Sequence, residues 1–152
     1  MTRKVIACDQ EKCTGCGICE LVCSATKEKN FNPLRSRIRI TKIEPLIDVA
    51  LACRFCEDAP CVAACPREVL IQNEATSIVL AEEDKCTGCG WCIEACEFGA
   101  ITFNAHRKTM IVCDLCDGLP VCVEFCPRDA LELSTPRVLS DKARRSAVEK
   151  LF

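Results

Sequence analysis

Sixteen of the seventeen cysteines fall into four groups of four. Cys13, Cys16, Cys19 and Cys23 have the spacing C-x2-C-x2-C-x3-C, and Cys86, Cys89, Cys92 and Cys96 repeat it. Cys53, Cys56, Cys61 and Cys65, and then Cys113, Cys116, Cys122 and Cys126, are looser, with four and five residues in the middle gap. A cubane [4Fe-4S] core offers four iron corners, each needing one thiolate, and a tight C-x2-C-x2-C loop can supply three of them. Structural zinc is the competing chemistry, but zinc sites pair two knuckles across a dozen or more residues. Here four cysteines crowd into each short span, and two of the groups end in Cys-Pro-Arg. A secreted disulfide framework would want an even cysteine count and an export signal.

The words around the two tight groups, Lys12-Cys13-Thr14-Gly15-Cys16-Gly17 and Lys85-Cys86-Thr87-Gly88-Cys89-Gly90, match residue for residue. The order tight, loose, tight, loose therefore reads as one two-cluster unit copied once. Gly15, Gly17, Gly88 and Gly90 suit loops whose backbone must take positive φ and turn its amides toward sulfur.

The elements that would hold these loops are short. Arg37–Ile43 alternates apolar and polar side chains as a half-exposed strand ending before Pro45. Residues 100–103 and 109–112 flank a polar turn as a hairpin, and Val5-Ile6-Ala7 is placed to pair with Ala130-Leu131-Glu132-Leu133. Helical turns are expected after the third cysteine of each group. The segment from Ser140 to Phe152 reads as a helix capped at Ser140 or Asp141, with Ala143, Ala147, Val148, Leu151 and Phe152 roughly on one face, packing back on the domain or docking a partner. Aromatic residues are 5% and tyrosine is absent, so clusters would stand in for much of an ordinary core.

The formal charge is −2 with every thiol counted neutral. Each [4Fe-4S]2+ core with four thiolates carries about −2, so a chain holding four carries roughly −10, which disfavours nucleic acid as a partner. The first residues contain no apolar run long enough for an export leader and no twin arginine, and no stretch approaches a membrane span, so the expected compartment is the cytoplasm.

The run from Cys65 through Val69 and Leu70 to Ile78, Val79 and Cys86 resembles the middle of a bacterial two-cluster ferredoxin. In such ferredoxins the fourth cysteine of each motif ligates the other cluster. If the second and third groups pair in this way, cluster B takes Cys53, Cys56, Cys61 and Cys96, and cluster C takes Cys86, Cys89, Cys92 and Cys65. The outer groups then exchange likewise: cluster A takes Cys13, Cys16, Cys19 and Cys126, and cluster D takes Cys113, Cys116, Cys122 and Cys23. The expected fold is α+β: two nested ferredoxin-like two-cluster units, an outer one of residues 1–30 plus 108–135 and an inner one of 50–105. They make one domain of 1–139 followed by a C-terminal helix of 140–152.

Across about residues 5–133 the four ordered groups, the two Cys-Thr-Gly-Cys-Gly words, and Cys113-Asp114-Leu115-Cys116 with Pro120, Cys122, Cys126 and Pro127 resemble a known family. It comprises the four-cluster electron-transfer subunits similar to the iron-sulfur subunit of DMSO reductase and the small subunit of formate hydrogenlyase. That family also pairs the first group with the fourth and the second with the third. Ser24 and Glu97 stand where ferredoxins often carry proline. The resemblance implies a non-catalytic subunit that relays single electrons between a catalytic oxidoreductase and an acceptor protein. Short members accompany tungsten aldehyde oxidoreductases, the partner type favoured here; benzoyl-CoA reductases, hydrogenases or formate dehydrogenases and carbon monoxide dehydrogenases are the alternatives, as is a free soluble polyferredoxin. Assembly of copies into longer wires is left open. An enzyme in its own right is disfavoured, because every cluster has four cysteines and no nucleotide or flavin motif is present. Among the remaining residues, Cys8 is read as a buried strand residue, His106 as a solvated loop residue, Trp91 as a shield over its cluster, and Arg35, Arg37 and Arg39 as a solvated basic face.

Overall fold

The computed structural model describes residues 3–43 and 47–151. Among the described residues the chain forms four two-stranded antiparallel sheets, five α-helices and three single 3-10 turns. Strand β1 (Val5–Cys8) pairs with β8 (Leu131–Ser134), with Ile6 opposite Leu133 and Ala7 opposite Glu132. This is the expected pairing of the two ends of the cysteine-bearing segment. Between them lie the hairpins β2–β3 (Arg39–Ile43 with Ile47–Leu51), β4–β5 (Leu70–Gln72 with Val79–Ala81) and β6–β7 (Thr102–Asn104 with Thr109–Ile111). The expected strand of 37–43 is therefore shorter at its start, and β3 was not foreseen. Pro45, which was to end that strand, lies outside the described residues.

Helices α2 (Pro60–Ala63), α3 (Trp91–Glu94) and α4 (Val121–Glu124) are single turns. They begin one residue before the third cysteine of their groups, with proline preceding or opening two of them, where its missing N–H is no loss. Helix α1 (Ile18–Glu28) differs, running eleven residues through Cys19 and Cys23. Ser24 explains it. The loose groups follow their fourth cysteine with Pro66 and Pro127, which block continuation of a helix, whereas Ser24 supplies an amide and donates its hydroxyl to Leu21 O at 3.0 Å. The helical turn expected at the first group is thus a three-turn helix.

Helix α5 spans Pro136–Glu149, starting before the expected Ser140. Thr135 is its N-cap, accepting from the Val138 amide at 3.4 Å, and proline occupies the first helical position. Leu139 packs against the core, while Val148 and Leu151 are 54% and 78% exposed, so the face expected to pack back is largely solvent-facing. Phe152 lies outside the described residues.

The core is small and threaded with thiols. Phe55, Ile38, Val79, Ile111 and Leu70 are buried together with Cys19, Cys53, Cys61, Cys92, Cys113 and Cys122. No helix among the described residues is long and apolar enough to cross a membrane.

Candidate iron-sulfur centres

The two identical loop words fold alike. Gly15 and Gly88 take φ of +61° and +70°, and Gly17 and Gly90, at +82° and +86°, turn the chain into α1 and α3. Left-handed backbone of this kind strains any residue with a Cβ.

Three cavities are each lined by three cysteines of one motif and a fourth from another. The first joins Cys13, Cys16 and Cys19 to Cys126, closed by Ile40 and Leu131. The second joins Cys53, Cys56 and Cys61 to Cys96, closed by Val79 and Ile101. The third joins Cys86, Cys89 and Cys92 to Cys65, closed by Leu70 and Met110. Around the remaining motif, Cys122 and Cys116 both feel the charge of Cys23, and Cys113 feels both Cys122 and Cys23. All sixteen cysteines singled out from the sequence therefore gather in four groups. The larger open depressions on the surface lie elsewhere: one is lined by Glu57, Glu68, Gln72 and Lys85, the other by Cys8, Asp9, Glu132 and Lys142.

A recurring turn holds the crossing cysteines. After Cys65, Cys96 and Cys126 the chain makes a one-residue excursion into positive φ at Glu68, Gly99 and Asp129 (+53°, +59° and +48°). The amides of Val69, Ala100 and Ala130 then donate to those sulfurs at 3.3, 3.4 and 3.3 Å. Cys23 lacks this turn because α1 continues through it, and its sulfur accepts instead from the Arg37 amide at 3.3 Å. Amides aimed at sulfur favour the thiolate and tune a bound metal centre.

Burial dominates the electrostatics. It pushes Cys53 up to about 12, with Cys61 and Cys96 adding repulsion. Burial, followed by Cys122, lifts Cys19 to about 12; burial, followed by Cys23, lifts Cys122 to about 12. Cys113 is driven up by burial as well. Burial also acts on Cys65 and Cys86, but there the amides of Val69 and Arg67, and of Gly88 and Met110, prevail and lower both thiols. Crowded thiols of this kind stay neutral unless a positive centre among them takes the charge. A multi-iron core bound through one thiolate per iron meets that need, and donors lining a volume suit it. Among the described residues no three or more donors converge as a site for a single metal ion.

The groups also neighbour one another in an order. Cys122 acts on Cys19, linking the last motif to the first, and Cys53 acts on Cys113, linking the last motif to the second. Cys16 and Cys89 are the exposed cysteines, one in each duplicated loop.

Of the other residues read from the sequence, His106 is exposed, as expected. Cys8 is half-buried at the end of β1; burial lifts it to about 11, its sulfur accepts from the Ala50 amide at 3.4 Å, and Cys13 and Cys126 lie near it. Trp91 is 59% exposed and so does not seal its site, because α3 turns its side chain outward beside Cys92. The basic stretch is not a free solvated face: Arg39 pairs with Glu20 at 3.5 Å, and Arg37 with Asp114 at 3.0 Å. Sequence reasoning missed Lys27 and Asp114, which pair at 2.7 Å beside Cys116. The spacing Asp114-Leu115-Cys116 was the available signal, since Asp114 accepts the Cys116 amide at 3.1 Å in a local turn.

Residues 46–135 match the family described as 4Fe-4S dicluster domain. A protein of Pyrococcus furiosus, the polyferredoxin-like subunit of an aliphatic sulfonate oxidoreductase, is 41% identical over 82% of this chain and 74% of its own length. The probable anaerobic dimethyl sulfoxide reductase chain YnfG of Escherichia coli is 31% identical over 88% of this chain and 74% of its own. Among solved structures, a chain of the active-site complex BamBC of benzoyl coenzyme A reductase, in complex with 1,5-dienoyl-CoA, superposes with a TM-score of 0.52 at 27% identity, covering 88% of this chain and 76% of that one.

Proposed function

Because the chain belongs to the 4Fe-4S dicluster-domain family of iron-sulfur electron-transfer subunits, we propose that it is a four-cluster electron relay with no substrate chemistry of its own. Cys13, Cys16, Cys19 and Cys126 would hold cluster A; Cys53, Cys56, Cys61 and Cys96 cluster B; Cys86, Cys89, Cys92 and Cys65 cluster C; and Cys113, Cys116, Cys122 and Cys23 cluster D. Each bound cluster supplies reversible one-electron storage at a potential tuned by its surroundings. The residues do the rest. Thiols ligate, the amides of Val69, Ala100, Ala130 and Arg37 support the sulfurs, and Ile40, Leu70, Val79 and Met110 keep water off the sites. The observation that carries this reading is the gathering of four cysteines at each site with the fourth always from a different motif. On it, the second and third motifs form an inner unit nested within an outer unit of the first and fourth, all within residues 1–139. Neighbour relations between A and D and between D and B, with B and C exchanging their fourth ligands, support the row A, D, B, C, with the exposed Cys16 and Cys89 at its two ends.

The partner is proposed to be the catalytic subunit of a cytoplasmic tungsten or molybdenum oxidoreductase of the aldehyde-oxidising type, with a second redox protein at the far end. The Pyrococcus furiosus relative, named as a subunit of an oxidoreductase, supports a stable complex. The fold likeness to the benzoyl coenzyme A reductase complex favours a second reading, in which the partner is a reductase of that kind. Anaerobic isolation of the native complex with metal analysis tests both. A co-eluting catalytic chain with tungsten or molybdenum is expected. Elution alone near 16.8 kDa would make the chain a free polyferredoxin, and nickel without tungsten or molybdenum would remove the preferred partner.

A further inference from the structure

The most enclosed ionic cluster among the described residues adjoins the thiols of one site only. Lys27 Nζ donates to Asp114 Oδ2 at 2.7 Å, and Arg37 Nη1 donates to the same oxygen at 3.0 Å. The three side chains are 16 to 20% exposed. The other carboxylate oxygen, Oδ1, accepts the Cys116 amide at 3.1 Å, while the Arg37 amide donates to the Cys23 sulfur at 3.3 Å. The sulfur of Cys23 and the backbone amide of Cys116 are therefore each one hydrogen bond away from the ionic cluster. Glu28 meets Arg37 at 3.8 Å on its other side and is shared with Arg107, which goes on to Glu83 at 2.8 Å. At Asp114 itself two cations face one anion, and Arg37 Nε is buried without an acceptor among the described residues.

Resting on the ligand sets proposed above, we propose that Lys27 and Arg37, held by Asp114, set the reduction potential of the iron-sulfur core ligated by Cys23, Cys113, Cys116 and Cys122 and raise it above the value neutral side chains would give. Reduction brings one electron from the neighbouring partner site and no proton, so the site gains one negative charge. Half-buried cations held one hydrogen-bonded step from the backbone of two ligand cysteines favour that added charge, and the neighbouring anion opposes it; screening by water is weak at this depth. The site lies inside the proposed row, neighbouring both the first motif through Cys19 and the second through Cys53. A raised potential there makes it a resting place for an electron between the two exposed ends. Lys27 and Arg37 are positioning residues in this scheme: they act on the ligand cysteines through Asp114 and through the Arg37 amide, not on a substrate.

The test is a redox titration of the anaerobically purified full chain, followed by electron paramagnetic resonance, for wild type, Lys27→Gln, Lys27→Arg and Asp114→Asn. Iron content is measured on each sample. With iron content unchanged, Lys27→Gln is expected to shift one cluster to more negative potential, Asp114→Asn to shift the same cluster the opposite way, and Lys27→Arg to restore the wild-type value. Equal shifts of one sign in Lys27→Gln and Asp114→Asn, or no shift with full iron content, would overturn the proposal. If one substitution costs a cluster, the sign of the other still decides. Wild-type protein devoid of iron would defeat the ligand assignment instead, so the two failures read differently.

Discussion

The Arg37 amide donates to the Cys23 sulfur at 3.3 Å, fourteen residues away along the chain. The three other crossing cysteines take an amide only four residues on. The difference traces to α1 running on through Cys23, where Ser24 offers no block, whereas Pro66 and Pro127 follow Cys65 and Cys126 and the left-handed Gly99 turns the chain after Cys96. Arg37 therefore does for Cys23 what a local turn does for Cys65, Cys96 and Cys126.

Ser24→Pro is expected to destabilise the protein by about 3 kcal/mol, the typical penalty for proline inside a helix. It also removes a fully buried hydroxyl that accepts the Asn32 amide at 3.2 Å. The cluster on Cys113, Cys116 and Cys122 should be lost first on warming. Thermal bleaching of visible absorbance checks this; a wild-type profile would contradict it.

Exchange of the fourth ligand makes a directional prediction. Cys65→Ser should perturb the cluster on Cys86, Cys89 and Cys92, whose cavity Cys65 lines, and leave that on Cys53, Cys56 and Cys61 intact; Cys96→Ser should do the reverse. Spectroscopic resolution of the surviving clusters decides, and perturbation of the variant's own motif in each case would refute the exchange.

Gly15→Ala should lower stability by about 1–2 kcal/mol, the strain of a Cβ on left-handed backbone. A Cβ there would also stand 2.6 Å from the Asp48 carboxylate and displace its pair with Lys42. Gly88→Ala meets the same strain and the Phe103 ring at 3.2 Å. Denaturant-induced loss of visible absorbance should move to lower concentration in both variants, and an unchanged midpoint in either contradicts the account.

Burial places Cys19, Cys53 and Cys122 at about 12, so each is protonated throughout the neutral range and must release its proton to bind iron. Acid returns those protons. Loading should therefore fall with each step down in pH below about 12, seen as progressive bleaching across the neutral and acidic range under anaerobic conditions. Bleaching that is flat with pH over that window would show that proton competition at the thiols is not limiting.

The cysteine spacing carried the strongest information, because thiolate geometry around a fixed inorganic core leaves little freedom; the pairing of Val5–Cys8 with Leu131–Ser134 and the 102–111 hairpin were also legible from alternation and turn residues. What escaped was tertiary. Strand β3 has the sequence Ile47-Asp48-Val49-Ala50-Leu51, whose short apolar run gives no clear period and is fixed only by pairing with β2. Arg37 read as solvated because its neighbours in sequence are basic, whereas its carboxylate partner, Asp114, lies 77 residues away. Trp91 read as a shield because it adjoins Cys92, but on one helical turn adjacent side chains point to different sides.

The central claim is that sixteen thiols are committed to iron. Quantifying iron and acid-labile sulfide per chain in anaerobically purified protein tests it most directly. About sixteen of each, four per cluster, is the expected result. Iron and sulfide near zero, or zinc in their place, would contradict it.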